Sequence, residues 1–149
     1  MVIEAAAIPY DAPVAGGDFR LLVFGGSQGA RFFADAVPPA LALLPADLPA
    51  RLKLVQQVRA EDLERTRAAL DGLGIAAETA PFFVALPARI AGSHLVLCRS
   101  GASTVGELSV IGRPGLMVPL PRALDQDQAE NARVLEAAGG GWTIRQAEL

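Results

Sequence analysis

The sequence has only one cysteine, Cys98, and one histidine, His94, among its 149 residues. A single cysteine excludes an intrachain disulfide and a cysteine-cluster metal site, and it fits a reducing compartment such as the cytoplasm. The net charge is −3 and no basic run with interleaved aromatic residues is present, so no nucleic-acid partner is expected. No apolar run reaches the roughly 18 residues that a membrane span requires. These absences leave a globular domain, without excluding contact with a membrane surface.

The lone histidine and cysteine both belong to one apolar stretch, residues 94–98. His94 lies among apolar residues at the start of a predicted strand, which favours a structural role over a catalytic one. Cys98 at its end is interpreted as a small buried residue rather than a nucleophile.

Short apolar runs alternate with helical patterns along the chain. The predicted strands are residues 20–24, 52–58, 75–79, 94–98, 116–119 and 142–144. The predicted helices are residues 29–44, 61–73, 87–92, 103–111 and 127–138, the first of them bent or split at Pro38 and Pro39 because proline lacks the ladder N–H. Residues 1–18 are expected to form an irregular lead-in or the remnant of an interdomain segment, and residues 19–149 one domain.

The alternation of strands and helices predicts an α/β fold. Strands joined through helices form parallel crossovers, which are right-handed in nearly all cases. The simplest arrangement is a doubly wound, Rossmann-like sheet of six strands in the order 3-2-1-4-5-6. That order places the first and fourth strands side by side, and ligands of such sheets bind beyond the strand ends at this switch point.

A glycine-rich turn follows each of these two strands. Residues 25–29 read Gly-Gly-Ser-Gln-Gly, and residues 99–104 read Arg-Ser-Gly-Ala-Ser-Thr. A strand, a glycine turn and a helix together present backbone N–H groups to an anion, so the pair predicts a bound phosphate-containing ligand, such as a nucleotide. The first turn matches neither the dinucleotide fingerprint nor the P-loop lysine motif, which argues against NAD and ATP.

Two polar clusters allow a structural and a functional interpretation. Thr104 and Glu107 have the spacing of a capping box, yet a glutamate near a helix start at the switch point is also suited to bind two ribose hydroxyls. Residues 125–128 (Asp-Gln-Asp-Gln) and Asn131 form either a polar helix start or a set of partners for sugar hydroxyls. The residues alone leave both questions open.

Taken together, three segments resemble the C-terminal, donor-binding half of the MurG family. The segments are 25–31 (Gly-Gly-Ser-Gln-Gly-Ala-Arg), 98–107 (Cys-Arg-Ser-Gly-Ala-Ser-Thr-Val-x-Glu) and 127–132 (Asp-Gln-x-x-Asn-Ala), and the likeness runs from about residue 19 to the end. MurG proteins are UDP-N-acetylglucosamine–N-acetylmuramyl-(pentapeptide) pyrophosphoryl-undecaprenol N-acetylglucosamine transferases. The resemblance implies one half of an inverting glycosyltransferase of the GT-B type.

The resemblance also implies roles for individual residues. The donor diphosphate would lie against Gly26, Ser27 and Gln28. The backbone of Phe83 would meet the uracil edge, and Glu107 would bind the ribose. The nucleotide would be lined by Arg99, Ser100, Gly101, Ser103 and Thr104. The N-acetylglucosamine would be held by Asp127, Gln128 and Asn131.

In this family, the sugar passes from UDP to lipid I and forms lipid II at the cytoplasmic face of the inner membrane, during peptidoglycan synthesis. The family's N-terminal domain carries the acceptor loops and the proposed general base, and the sequence lacks it. Val84 and Ala85 also stand where the family often has acidic residues. We therefore expect no catalytic residue, metal or cofactor in this half, and no sugar transfer by the chain alone.

Two other functions remain open at this point. The chain could be a naturally separate donor-binding subunit of a two-chain N-acetylglucosaminyltransferase, which would need a partner protein for catalysis. It could also be a non-enzymatic nucleotide-binding Rossmann module. Binding of UDP, UDP-N-acetylglucosamine and NAD would separate the last of these from the other two.

Overall fold

The computed structural model describes residues 1–121 and 126–149, without the side chains of Ser27 and Gln126. Its strands are β1 (Phe19–Phe24), β2 (Leu52–Gln57), β3 (Ala76–Ala80), β4 (Leu95–Cys98), β5 (Gly115–Met117) and β6 (Gly141–Thr143). Its α-helices are α1 (Val2–Ala6), α2 (Gly26–Leu41), α3 (Leu48–Arg51), α4 (Leu63–Gly72), α5 (Leu86–Ala91), α6 (Ala102–Ile111) and α7 (Gln126–Ala137). Two 3-10 turns cover Ala60–Asp62 and Gln146–Glu148.

The six described strands form one parallel sheet in the order β3-β2-β1-β4-β5-β6, which confirms the predicted topology. Phe24 at the end of β1 pairs with Cys98 at the end of β4. The chain therefore leaves these two neighbouring strands at the same edge of the sheet. We call it the carboxyl edge, and the opposite one the amino edge.

The core has two layers, one on each face of the sheet. Residues in a strand alternate between faces, so Leu22 and Phe24 join one cluster while Val23, between them, joins the other. The first cluster contains buried residues of α1, α5, α6 and α7, and the second contains buried residues of α2 and α4. Helices on both faces leave only the strand ends free to build a site.

Two sequence expectations about helices were wrong. The lead-in is not wholly irregular, because Val2–Ala6 form α1 and Ala5 is buried against the first cluster. Helix α2 begins and ends three residues earlier than predicted, and it is not split at Pro38 and Pro39, which lie inside it. The two prolines stand within its last turn, so few ladder bonds are lost before the helix ends at Leu41. The other predicted helices and strands exist with ends displaced by one or two residues.

None of the helices in the described parts of the chain is long and apolar enough to cross a membrane.

Candidate functional site

Both glycine turns lie at the carboxyl edge, as predicted. Helix α2 begins at Gly26, directly after β1, and α6 begins at Ala102, shortly after β4. Because β1 and β4 are neighbours, the two helix N-termini border one crevice. Helix N-termini carry unpaired N–H groups and a partial positive charge, and both favour a bound anion.

The first turn is built on close backbone contact. A Cβ atom added to Gly25 would lie 2.8 Å from the Cα of Gly29 and 2.9 Å from Cε2 of Phe33. Gly26 has a φ of +65°, a conformation that side chains disfavour. Gly26 and Gln28 are exposed, whereas the side chain of Ser27 lies outside the described part of the chain. The glycines of the turn thus expose backbone to the crevice, and Gln28 adds a side chain.

A glutamine from β2 holds this turn in place. The backbone N–H groups of Gly25 and Gly26 both donate to Oε1 of Gln57, at 3.2 and 3.1 Å. The Nε2 of Gln57 donates to the carbonyl of Pro81 at 3.2 Å. Sequence reasoning missed Gln57, although its position at the end of β2, beside β1, was available from the predicted strand order.

The second turn is tied to the start of α7. The buried Ser100 donates its hydroxyl to the carbonyl of Gln128 at 2.7 Å. The Nδ2 of Asn131 donates to the carbonyl of Ser100 at 3.1 Å, and Oε1 of Gln128 accepts from the N–H of Leu120 at 3.0 Å. All three segments that carried the resemblance therefore meet at the carboxyl edge, and several of their polar groups bind one another.

Arg99 is turned inward rather than into open solvent. Its Nη1 donates to the carbonyls of Val118 (3.0 Å) and Pro119 (3.3 Å), and its Nη2 donates to Oε1 of Gln146 (2.6 Å). Its guanidinium carbon lies 4.9 Å from the ring centre of Phe32. Only 7% of the residue is exposed, and this burial lowers the pKa of the guanidinium. Its Nε has no hydrogen-bond partner among the described residues.

The capping-box interpretation of Thr104 and Glu107 is wrong. Gly101 is the N-cap of α6, so Thr104 is the third residue of the helix and Glu107 stands in its second turn. Glu107 is half-buried, and its Oε2 is enclosed without a hydrogen-bond partner among the described residues. A buried carboxylate oxygen without a donor is costly. The described residues therefore leave one polar atom of Glu107 without the donor that its burial calls for.

Two depressions adjoin at the first turn and share Gly26. The polar cleft, of about 310 Å³, is lined by Gly25, Gly26, Gln28, Gly29, Arg99, Leu120 and Gln128. The apolar slot, of about 250 Å³, is lined by Phe24, Gly26, Gln57, Phe82, Phe83, Leu86 and Thr104. A flat apolar group and a charged polar group joined together match this pair of surfaces.

Aromatic residues form the outer wall of the apolar slot. Phe83 is 8% exposed, and the guanidinium of Arg89 lies 4.4 Å from its ring centre, whereas Phe82 is 73% exposed. Ala85, two residues after Phe83 in the same loop, has a φ of +57° at the N-cap of α5. Non-glycine residues in this region are strained by about 1–2 kcal/mol. The loop between β3 and α5 is therefore held in a less favourable backbone conformation at the slot.

The remaining predicted site residues have mixed positions. Ser103 is exposed on the first turn of α6, and Gly101 is half-buried at its cap. Asp127 is exposed in the first turn of α7, where a negative charge is favourable to the helix dipole. Asp125 and the side chain of Gln126 lie outside the described residues. The described residues contain no group of three or more His, Cys, Asp or Glu side chains placed to hold a metal ion.

His94 and Cys98 have the structural roles that the sequence indicated. The Nδ1 of His94 accepts from the N–H of Arg20 at 3.0 Å, and its ring lies 5.5 Å from that of Phe19 at the amino edge. Burial, reinforced by the nearby Arg20 charge, lowers the pKa of His94. Cys98 is fully buried, and desolvation raises the pKa of its thiol to about 12, so it is inert as a nucleophile near neutral pH.

The size of the depressions does not by itself identify the carboxyl edge as the candidate ligand site. A larger depression of about 470 Å³ lies at the amino edge, beside Tyr10 and Arg113. The carboxyl edge is distinguished by two helix N-termini, adjoining polar and apolar surfaces, and the unpartnered oxygen of Glu107. These features together indicate a site for a nucleotide-like ligand.

Comparison with known proteins agrees with this geometry. Residues 20–149 match the glycosyltransferase family 28 C-terminal domain. The chain belongs to this family. The similar curated proteins include one from Sinorhizobium fredii and one from Rhodopseudomonas palustris, each 60% identical over 148 residues and 99% of this chain. Both carry the name UDP-N-acetylglucosamine–N-acetylmuramyl-(pentapeptide) pyrophosphoryl-undecaprenol N-acetylglucosamine transferase.

A solved relative confirms the fold. The crystal structure of Acinetobacter baumannii MurG superposes with a TM-score of 0.80 at 29% identity, covering 94% of this chain and 42% of that one. The predicted fold and the resemblance to the MurG family are therefore both confirmed. The chain spans 39% and 40% of the lengths of the two curated relatives. Each of these relatives therefore contains a large part that has no counterpart in this chain.

Proposed function

We propose that residues 19–149 form the domain that binds UDP-N-acetylglucosamine in a bacterial N-acetylglucosaminyltransferase. The observation that carries the proposal is the meeting of the apolar slot and the polar cleft at Gly26, with the unpartnered Oε2 of Glu107 one helical turn from Thr104 of the slot. A uridine diphosphate has a flat heteroaromatic ring, a diol and a negatively charged diphosphate in that order. The 60% identity to named transferases supports the choice of donor.

The base and ribose are assigned to the slot and to α6. The uracil ring enters the apolar slot, with its polar edge toward the backbone of Phe83. Thr104 lines this slot, and Glu107 is one helical turn further along the same face of α6. A carboxylate at that place accepts hydrogen bonds from the two ribose hydroxyls. These hydrogen bonds are stronger than those to a neutral acceptor, because the carboxylate is charged.

The diphosphate is assigned to the start of α2. Residues Gly26, Ser27 and Gln28 occupy the first turn of that helix, where backbone N–H groups face an anion. When the sugar leaves, negative charge develops on the UDP oxygen that held it. The helix N-terminus stabilises this charge, and it is fixed in advance, so no reorganisation is needed during the reaction.

The sugar is assigned to the α7 side of the polar cleft. Gln128 lines the cleft, and Asp127 and Asn131 lie on the same helix. Oε1 of Gln128 accepts from the N–H of Leu120, and Nδ2 of Asn131 donates to the carbonyl of Ser100. These hydrogen bonds fix the orientation of both side chains. Arg99, Ser100 and Gly101 act mainly by shaping the second turn, and Ser103 and Thr104 approach the nucleotide from α6.

The complete protein transfers the sugar to the 4-hydroxyl of the muramyl sugar of lipid I and so forms lipid II. The acceptor and the general base are assigned to the part of the protein outside this chain, which also supplies the contact with the inner membrane. This chain contributes donor binding and leaving-group stabilisation.

Calorimetric titration with UDP, UDP-N-acetylglucosamine and NAD tests the proposal. UDP and the sugar nucleotide should bind and raise the melting temperature, because they bind only the folded state. NAD should not bind. The chain alone should transfer no sugar to a lipid acceptor. Binding of NAD but not of UDP would indicate a dinucleotide-binding module instead. Sugar transfer by the chain alone would contradict the assignment of the acceptor site and general base to the rest of the protein.

A further inference from the structure

Gln57 connects the two halves of the candidate site through one planar group. Its Oε1 accepts from the N–H groups of Gly25 and Gly26 at 3.2 and 3.1 Å, and its Nε2 donates to the carbonyl of Pro81 at 3.2 Å. Pro81 directly precedes Phe82 and Phe83, which both line the apolar slot. A single carboxamide thus spans from the turn assigned to the diphosphate to the loop assigned to the base.

The glycine turn has no capping side chain of its own. The N-cap of α2 is Gly25, which supplies no capping side chain, and Gly26 follows in a left-handed conformation. Gln57 takes the place of the missing cap, from a different strand. An apolar side chain at this position would leave two backbone donors without their acceptor.

The loop between β3 and α5, which Gln57 contacts through Pro81, also needs a partner that fixes its position. Ala85 in that loop has a φ of +57°, which the surrounding structure must maintain. The carboxamide is planar, with its acceptor and its donor in set directions. Its three hydrogen bonds therefore fix the distance between the loop and the turn.

We infer that Gln57 is a positioning residue that sets the spacing between the base slot and the diphosphate turn. The inference rests on the proposed function, since it concerns how one ligand reaches both places. Uridine alone uses the slot and Glu107, so it does not depend on this spacing. UDP does depend on it, because its base and its diphosphate are covalently joined.

The test compares the affinity of uridine with that of UDP in the Gln57→Met variant. The ratio of the two affinities measures what the diphosphate adds. Loss of the three hydrogen bonds of Gln57 should reduce this ratio by about tenfold. Gln57 also lines the apolar slot, so uridine affinity is measured in the same variant and the ratio removes any change in the slot itself. Isothermal titration calorimetry at one ionic strength supplies both values.

Gln56→Met is the matched control. Gln56 is the preceding residue of β2 and faces the opposite side of the sheet, where its Nε2 donates to the carbonyl of Phe33 at 3.1 Å. Its replacement removes a structural hydrogen bond of the same kind. The control should lose stability while its ratio of UDP to uridine affinity equals that of the wild type.

A second variant covers the case in which Gln57→Met does not fold. Gln57→Asn keeps a carboxamide and adds no charge, but its side chain is one methylene shorter and does not span from the glycine turn to Pro81. Its ratio of UDP to uridine affinity should also fall, by up to about tenfold. An unchanged ratio in a folded Gln57 variant overturns the inference. A wild-type chain that binds neither ligand contradicts the proposed function itself.

Discussion

Two buried arginines, one at each edge of the sheet, differ in how they are satisfied. Arg113 at the amino edge is 4% exposed, and all three of its nitrogens donate to backbone carbonyls. Arg99 at the carboxyl edge is 7% exposed, yet its Nε has no partner among the described residues. Both guanidiniums are withdrawn from water, so the difference lies in what the surrounding backbone supplies.

Arg113 satisfies backbone carbonyls at the amino edge. Its donors reach the carbonyls of Ala91, Ile111, Gly112, Ile8 and Pro9, at distances between 2.9 and 3.3 Å. The first three carbonyls belong to the C-terminal ends of α5 and α6, where the helix dipoles favour a cation. The other two belong to the lead-in. Arg113 therefore attaches the lead-in to the domain and satisfies two helix ends at once.

The carboxyl edge is left open by comparison. Its helices present N-termini, its first turn is glycine-rich, and Glu107 has an unpartnered oxygen. Unpartnered buried atoms also occur elsewhere, at Gln56 and Thr66 for example, so the oxygen of Glu107 counts only together with the helix N-termini and the glycine turns. The chain itself thus supplies partners for Arg113 at the amino edge, and we propose that a ligand supplies the missing partners at the carboxyl edge.

The largest expected effect is that of Arg113→Ala on stability. Several buried carbonyls would lose their donors, and the free energy of unfolding should fall by about 3 kcal/mol. Denaturant unfolding measures the loss, and Arg113→Lys should lose less because it keeps the charge. UDP affinity of the folded variant should be unchanged. A large loss of UDP affinity would mean that the two edges are not separate in function.

Glu107→Gln should act on binding instead of stability. If the carboxylate accepts from the ribose hydroxyls, UDP binding should weaken by about 1.5–3 kcal/mol, the range for hydrogen bonds to charged groups. The matched ligand is 2′-deoxy-UDP, which should bind the wild type less tightly than UDP but bind the variant about as tightly as UDP does. If both ligands lose the same affinity on substitution, Glu107 does not contact the ribose.

Gln128→Ala should affect the sugar more than the nucleotide. Affinity for UDP-N-acetylglucosamine should drop by about 0.5–1.5 kcal/mol, with UDP affinity nearly unchanged. Because Oε1 of Gln128 accepts from the N–H of Leu120, a stability loss of about 1 kcal/mol should accompany it. Calorimetry with the two ligands separates these effects. An equal loss for UDP and for the sugar nucleotide would assign Gln128 to the diphosphate or to the fold.

The smallest effect concerns pH and the amino edge. The pKa of folded His94 lies below its ordinary value of 6.5, so below that pH the unfolded chain binds more protons than the folded chain. The stability that neutral His94 contributes is complete above about pH 6.5 and is lost as the pH falls further. The free energy of unfolding should therefore decline less steeply between pH 7 and 5 in His94→Asn, which keeps an acceptor for the N–H of Arg20. Identical pH slopes would contradict this assignment.

The sequence predicted the framework of the site because that framework depends on local patterns. Apolar runs, helical periodicity and the two glycine turns gave the strand order, and the strand order brought residues 25–29 and 99–104 together. Directions of side chains were not predictable in this way. Arg99 follows its strand directly, yet packing against Phe32 and the carbonyl of Val118 turns it inward.

Helix starts were a second source of error. Thr104 has the residue type of a cap, but the extended Gly101, with a ψ of 153°, begins α6 three residues earlier. Gln57 was missed for a related reason. Its importance depends on which backbone groups lie opposite it across strands, and only the folded chain brings Gly25 and Pro81 within its reach.

Amide chemical-shift mapping of the ¹⁵N-labelled chain during titration with UDP tests the contrast between the two edges most directly. The account predicts saturable shifts in residues 25–29, 82–86 and 99–107, with the amides around His94 and Arg113 unmoved. The largest shifts at the amino edge, or none anywhere at saturating UDP, would contradict it.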